Sequence, residues 1–343
     1  MRICILGATG LVGRESLDLV LRAWPTAALR LFASRDQELD HGGHRWSVRA
    51  AAALDAPDAP PGDLALVALD DAHSARYVPR LLELGHRVVD KSNTYRADPR
   101  VVLGVAGVNH QRLGPADRLV ANPNCTTIPL ALALQPLHRT FGLRSVQVST
   151  YQAISGAGQQ TLDEFLDDCR RGYAAADRLG QTFAANGYAG NTVPHHARTD
   201  ASGFSAEEQK LMTETRRILE LPDLPISAQC CRVPVAVGHY ENVWVELASP
   251  ATVAAAQRAL AAGGPFLHWL PSASGEGLSA LAAVADRDRA LVGRLRLDPR
   301  DPTGRTLCLT VVGDNLRLGA ATNAVRLASR WFPAADPTLQ AKP

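Results

Sequence analysis

The apolar positions of the chain fall into two regimes. Over the first third, short, mainly apolar runs at residues 2–6, 29–33, 64–68 and 87–89, and one ending at Ala121, are separated by stretches of helical spacing, the first reaching about Leu21. Short, mainly apolar runs of this length predict buried strands, and their alternation with helices predicts a parallel, doubly wound sheet. Residues 36–63 carry little periodic signal, with Gly42-Gly43, Pro57, Pro60 and Pro61 marking turns. An apolar helix is expected over 126–137. The pattern then changes. Residues 145–151 alternate, Gly156 and Gly158 break the run, and helices are expected at 160–172 and 206–220. Residues 173–204, with Gly187, Gly190 and Pro194, read as a long loop. β-like runs follow at 226–235, 243–248, 291–297 and 307–312, and a helical pattern closes the chain at 316–332. This half reads as α+β with a largely antiparallel sheet. The Ala-rich tracts at 50–59 and 251–263 read as loop and helix filler.

A length of 343 residues fits two domains, and 46% hydrophobic with 20% charged residues is an ordinary globular composition. A formal net charge of +2 without a basic run gives no nucleic-acid footprint. No uninterrupted apolar stretch approaches the roughly 18 residues of a membrane span. The opening MRICILGATG is too short and too glycine-rich for a secretory signal, so a cytoplasmic location is expected. The six cysteines show no framework spacing and are expected as free thiols. No metal site is expected.

Five motifs carry candidate chemistry. Gly7-Ala-Thr-Gly10-Leu-Val-Gly13 follows the first strand and opens a helix. Glycines let a backbone turn tightly against a pyrophosphate whose charge the helix N-terminus favours. The glycine loop is expected to bind a dinucleotide. Ser34 and Arg35 end the second strand, where an adenosine ribose would lie; a hydroxyl and a fixed charge favour a 2′-phosphate, hence NADP over NAD, although Asp36 follows directly. In Asn122-Pro-Asn124-Cys125-Thr-Thr127 a cysteine stands where a turn becomes a helix. A free cysteine, with a pKa of about 8.5, is only a few per cent thiolate at pH 7, and a helix N-terminus or an imidazole raises that fraction. Gln152 ends a strand beside a glycine-rich turn. In Arg232-Val-Pro-Val-Ala-Val-Gly-His239 the arginine is able to clamp a carboxylate and the histidine to exchange protons near neutral pH. Glu207 and Lys210, three apart on a predicted helix, read by themselves as a surface ion pair.

In their order, GATGLVG, NPNCTT, TYQAISGAG, AEEQK, RVPVAVGH and DNLRLGAATNA resemble the aspartate-semialdehyde dehydrogenases over nearly the whole chain. The resemblance implies an α/β protein: an N-terminal Rossmann-type dinucleotide-binding domain, from residues 1–126 and 314–343, and an α+β catalytic and dimerisation domain over 127–313. It implies reversible NADP-dependent reduction of aspartyl phosphate, a place in amino-acid biosynthesis, inorganic phosphate as co-substrate, and a homodimer or homotetramer. Cys125 is implied as the nucleophile, Gln152 as the group that orients substrate, and His239 as the acid and base. Arg232, Glu207, Lys210, Arg96 and Asn124 are implied on the substrate side, Arg96 as a phosphate ligand. Thr9, Leu11, Val12, Ser155, Gly156, Asn315 and Gly319 are implied to join Gly7, Gly10, Gly13, Ser34 and Arg35 around the cofactor. Three segments depart from the family pattern: Ala68-Leu-Asp-Asp71, Asp90-Lys-Ser-Asn93 and Ala106-Gly-Val-Asn109. Two other readings stay open. One is a sister acyl-phosphate reductase such as the N-acetylglutamyl-phosphate enzyme, whose motif usually reads NPGCY. The other is a non-catalytic paralogue.

Overall fold

The computed structural model describes residues 1–175, 187–195 and 199–341. The chain divides into two compact units, residues 1–124 with 320–343 and residues 125–319.

The first unit begins with strand β1 (Arg2–Leu6), helix α1 (Leu11–Ala23) and β2 (Ala28–Ala33). A hairpin follows, β3 (Gln37–His41) and β4 (His44–Ala50). Then come β5 (Leu64–Val67), α2 (Asp71–Glu83), β6 (Arg87–Asp90), β7 (Val102–Leu103) and β8 (Leu119–Ala121). They form one sheet in the order β3-β4-β2-β1-β5-β6-β8-β7, parallel throughout except for the β3–β4 hairpin. The hairpin lies in the segment that showed little periodicity. Its turn is Gly42-Gly43, both at positive φ, the pair of conformations a tight hairpin needs. The central strands are unbroken apolar runs because both faces are covered. Ile3, Ile5, Leu64 and Leu66 pack with Leu17 and Val20 of α1, whereas Cys4, Leu6, Ala65 and Val67 pack with Tyr77, Val78 and Leu81 of α2.

The second unit opens on helix α3 (Thr127–Phe141), followed by β9 (Leu143–Gln152) and α4 (Gln159–Ala175). Next are β10 (Val193–Pro194), α5 (Ala206–Leu219), β11 (Ile226–Arg232) and β12 (His239–Leu247). It ends with α6 (Val253–Ala261), β13 (Leu267–Trp269), α7 (Ala280–Ala285), β14 (Ala290–Leu297) and β15 (Thr306–Gly313). The sheet order is β10-β11-β9-β12-β15-β14-β13. It is largely antiparallel, as expected, and mixed through two parallel pairs: β11 runs parallel to β9, and β13 parallel to β14. Helices cross over between those pairs, a connection that parallel neighbours require. Helix α3 is buried on nearly all sides because α5, α6 and the sheet all pack on it, which explains its continuous apolar run. The tract at 251–263 holds α6, capped by Thr252. The long loop expected over 173–204 lies partly outside the described residues, at 176–186 and 196–198; within it α4 extends to Ala175, and β10 pairs with β11. The chain then re-enters the first unit through a wide π-helical turn, Arg317–Thr322, and α8 (Asn323–Ala328), whose Ala324, Val325 and Ala328 join the α1 side of the core.

Candidate functional site

In the first unit the strand order reverses between β1 and β5: β2 lies on one side of this pair and β6 on the other. Open α/β sheets bind ligands at the carboxyl ends of strands at such a switch point. The glycine loop stands there. Gly7 has φ +76, and its amide donates to Phe32 O. A Cβ at Gly7 would lie 2.3 Å from Ala68 O, and one at Gly13 would lie 2.0 Å from Gly7 O, so both glycines are needed to close the turn. Gly10 caps α1 without a side chain, Thr9 precedes it in the loop, and Leu11 and Val12 open the helix, all three partly exposed. These features suit a pyrophosphate at the helix start. Ser34 and Arg35 are exposed at the end of β2. Asp36 accepts the Ala50 amide at 2.6 Å, so its carboxylate is bound to the neighbouring strand.

The three departing segments are knitted into this unit. Asp70 caps α2 by accepting the His73 amide. Asp71 accepts from the Asn93 amide at 2.8 Å, joining the first departing segment to the second. Lys91 donates to Ser16 Oγ of α1 at 2.7 Å, and burial pulls its pKa down to about 7. Asn109 accepts the Val105 amide. Arg96 donates to Lys91 O, Asn93 Oδ1 and Asn122 O, so the implied phosphate ligand also fixes the backbone leading to the buried Asn124.

The second unit gathers the other chemistry on the inner face of its sheet. Cys125, partly exposed, lies just before α3. Its Sγ is 3.2 Å from His239 Nε2, the first residue of β12. On the opposite edge of the ring, Nδ1 accepts the backbone N–H of Ala153 at 3.0 Å. A ring nitrogen that accepts carries no proton, so the neutral imidazole holds its hydrogen on Nε2, facing sulfur. Burial, reinforced by Arg232, lowers the His239 pKa to about 3. Arg232 ends β11 in register with Gln152 at the end of β9, and its Nη1 donates to Ala153 O at 2.7 Å. Gln152 is buried, receives a hydrogen bond from Thr150 Oγ1 and donates Nε2–H to Glu207 Oε1 at 3.0 Å. The other oxygen of Glu207 pairs with Lys210 at 2.6 Å. The Glu207–Lys210 pair is therefore bonded into this cluster through Gln152, with Glu207 buried and Lys210 partly exposed. Gln152 is tied to Glu207, which makes it a support for that carboxylate.

Ser155, Gly156, Asn315 and Gly319 lie in this second unit. Asn315 donates to Ser155 Oγ and accepts the Gly238 amide, bracing the turn before His239. Gly319 approaches Cys125 so closely that a Cβ would lie 2.9 Å from the cysteine Cβ. Gly156 is exposed beside Arg232.

Two residues that sequence reasoning missed belong to the same face. His195, just past β10, has both ring nitrogens buried without a partner. Nothing in its local sequence marks it. Glu241 follows His239 by two positions on β12 and is fully buried, with neither oxygen bonded; burial pushes its pKa well above the carboxylate range. A carboxylate on the apolar phase of an alternating strand was the available signal. Among the described residues no His, Cys, Asp and Glu cluster is able to hold a metal, and no helix is long and apolar enough to cross a membrane.

Comparison with known proteins places these features. Residues 2–116 match the semialdehyde dehydrogenase NAD binding domain, and residues 134–318 the semialdehyde dehydrogenase dimerisation domain. An aspartate-semialdehyde dehydrogenase of Mycolicibacterium smegmatis is 37% identical, over 96% of this chain and 98% of the relative. One from Synechocystis is 34% identical, over 96% of each. A solved aspartate semialdehyde dehydrogenase II of Vibrio cholerae, complexed with ASA, superposes with a TM-score of 0.85 at 30% identity, over 96% of this chain and 97% of that one. The chain belongs to the aspartate-semialdehyde dehydrogenase family.

Proposed function

We propose that this protein catalyses the reversible NADP-dependent conversion of L-aspartyl 4-phosphate to L-aspartate 4-semialdehyde through a thioester on Cys125. The observation that carries the reading is the Cys125–His239–Ala153 chain, with Arg232 bonded to the carbonyl of the same Ala153. The thiolate of Cys125 attacks the acyl carbon. A C–S bond forms, the C–O bond to phosphate breaks, and phosphate leaves with the electron pair. NADPH, when bound, supplies the hydride that reduces the thioester carbon. The carbonyl pair moves to oxygen, the C–S bond breaks, and sulfur leaves as thiolate with release of the aldehyde. The one proton of the overall reaction ends on phosphate. Once Cys125 is a thiolate, no step in this direction needs a base at Nε2. His239 instead donates its Nε2–H to sulfur and to the oxyanion, as a fixed dipole in a buried setting. That narrows the acid-and-base role expected of it.

Arg232 spends Nη1 on Ala153 O, and its remaining N–H groups suit the substrate α-carboxylate. Glu207 suits a free α-ammonium. A buried carboxylate here favours an unacylated amino substrate over an N-acetylated one, which carries no such charge. The commitment of Asp36 to Ala50 leaves Ser34 and Arg35 to meet a 2′-phosphate, which supports NADP. We assign the protein as a homodimer through its second unit and place it in the cytoplasm, where its six free cysteines fit a reducing compartment. The test is reduction of NADP⁺ by L-aspartate semialdehyde with and without inorganic phosphate. Steady turnover that requires phosphate is expected. Turnover independent of phosphate, or none with this aldehyde, overturns the reading.

A further inference from the structure

The antiparallel pairing of β10 with β11 fixes which way His195 points. Val193 stands opposite Arg232 and Pro194 opposite Cys231, and the His195 amide donates to Cys230 O at 2.9 Å. Directly opposed residues share a face, and faces alternate along a strand. Arg232 and Cys230 are buried on the inner face, and Cys231 lies on the other. His195 therefore faces inward with Arg232, on the side that also carries Gln152 and His239. Its ring lies within electrostatic reach of Glu207 first, then Arg232, Lys210 and Glu208, and it acts in turn on His239. Both ring nitrogens are sealed from solvent and unbonded. Buried polar groups are normally satisfied, and one left open within a polar cluster marks the place of a missing partner.

The donor and acceptor inventory of the cluster identifies that partner. Arg232 and Lys210 only donate. Gln152 already uses its oxygen on Thr150 and its amide on Glu207. The two oxygens of Glu207 already receive Gln152 and Lys210. An α-ammonium brings three N–H donors, and Glu207 alone is poorly able to meet them. Two acceptors are open on this face, the lone pair of the neutral His195 imidazole and the Glu241 carboxyl, and of the two His195 is the one within electrostatic reach of Glu207. Burial keeps the ring neutral, with a pKa lowered to about 4.

We propose that His195 is a substrate-binding residue that accepts a hydrogen bond from the α-ammonium of the amino-acid substrate, next to Glu207. The inference rests on the aspartate-semialdehyde reading for the identity of the substrate, though not for the geometry. It makes His195 a reader of the amino group, as Arg232 is of the carboxylate.

The experiment compares His195→Leu, which removes the acceptor, with His195→Gln, which restores an acceptor oxygen. KM and kcat are measured for L-aspartate semialdehyde and for succinate semialdehyde, which lacks the amino group. His195→Leu should raise KM for the amino substrate about tenfold, the scale of one hydrogen bond to a charged group, with kcat changed less than about twofold. His195→Gln should recover most of that loss, and succinate semialdehyde should respond to neither variant. Equal losses with both aldehydes, or an unchanged KM in His195→Leu, overturn the proposal. The same preparations are alkylated at Cys125 with iodoacetamide in the presence of L-aspartate or succinate. Protection by L-aspartate should weaken in His195→Leu while protection by succinate stays the same; loss of both, or of neither, counts against His195. Wild-type turnover separates the two claims. A wild-type protein inert toward the semialdehyde sinks the functional reading, and the alkylation arm still decides the role of His195.

Discussion

At the scale of single residues, the site is set by which hydrogen each buried group carries. Ala153 N–H occupies Nδ1 of His239, so the neutral ring presents Nε2–H to Cys125, and burial lowers its pKa to about 3. His239→Gln, which keeps an N–H donor, should retain at least tenfold more activity than His239→Leu. The latter should lose roughly 10²- to 10³-fold, as when an oxyanion donor is removed. A wild-type pH–rate profile should show no inflection near 6.5 that His239→Gln abolishes; finding one would restore His239 as a base. The depressed pKa also has a stability consequence. Between about pH 6.5 and pH 3 the unfolded chain protonates this histidine and the folded one does not, so stability falls as pH falls through that window. Glu241 acts in the opposite sense. Its folded pKa is raised, so the penalty is absent below the unfolded value of about 4.3 and grows as pH rises above it. Glu241→Gln should therefore raise the melting temperature, by more at pH 8 than at pH 5; a constant difference across that range would refute the assignment. Cys125, Arg232 and His239 were legible in the sequence because each sits in a short local motif. The bond from Gln152 to Glu207 was not, because it joins residues 55 apart through strand and helix packing. His195 was hidden for the same reason: its position depends on a two-residue strand whose partner lies in another element.

At the scale of elements, helix α5 delivers Glu207 and Lys210, and its start is closed by a full capping box. Ser205 accepts from Glu208 N, and Glu208 reaches back to Ser205 N. Glu208 Oε1 also accepts the Cys230 amide, so the same residue pins the helix to β11. Ser205→Ala should cost about 1 kcal/mol, read as a lower denaturant midpoint at unchanged m-value, with a raised KM for the amino substrate. No shift in midpoint would show that the cap does not hold this helix. The β1, β2, β5 and β6 runs were legible because burial on both sides of the sheet leaves short, mainly apolar runs between helices. The β3–β4 hairpin was not, because it lies at the sheet edge with an exposed, polar face; only its Gly42-Gly43 turn was visible. The mixed order of the second sheet was also beyond local pattern, since strand direction depends on crossovers rather than on alternation. The departing segments 68–71 and 90–93 meet in the fold: Asp71 bonds Asn93, so they form one altered pair.

At the scale of the whole molecule, one unit carries the glycine loop and the other carries Cys125 with its partners, so the division of labour follows the division of the chain. Ser34 and Arg35, proposed to set cofactor choice, lie in the first unit. Arg35→Ala should raise KM for NADPH several-fold and leave KM for NADH nearly unchanged; equal effects on both would show that Arg35 does not read the 2′-phosphate. The proposed chemistry turns on a covalent thioester at Cys125. Its most direct test is a rapid-mixing measurement with L-aspartate semialdehyde and NADP⁺ in the absence of phosphate. A burst of about one NADPH per Cys125 is expected, with an acyl adduct on that cysteine by intact mass and release into turnover only when phosphate is added. Cys125→Ser, still folded, should show neither burst nor adduct. A burst of equal size in Cys125→Ser, or steady turnover without an adduct, would contradict the account.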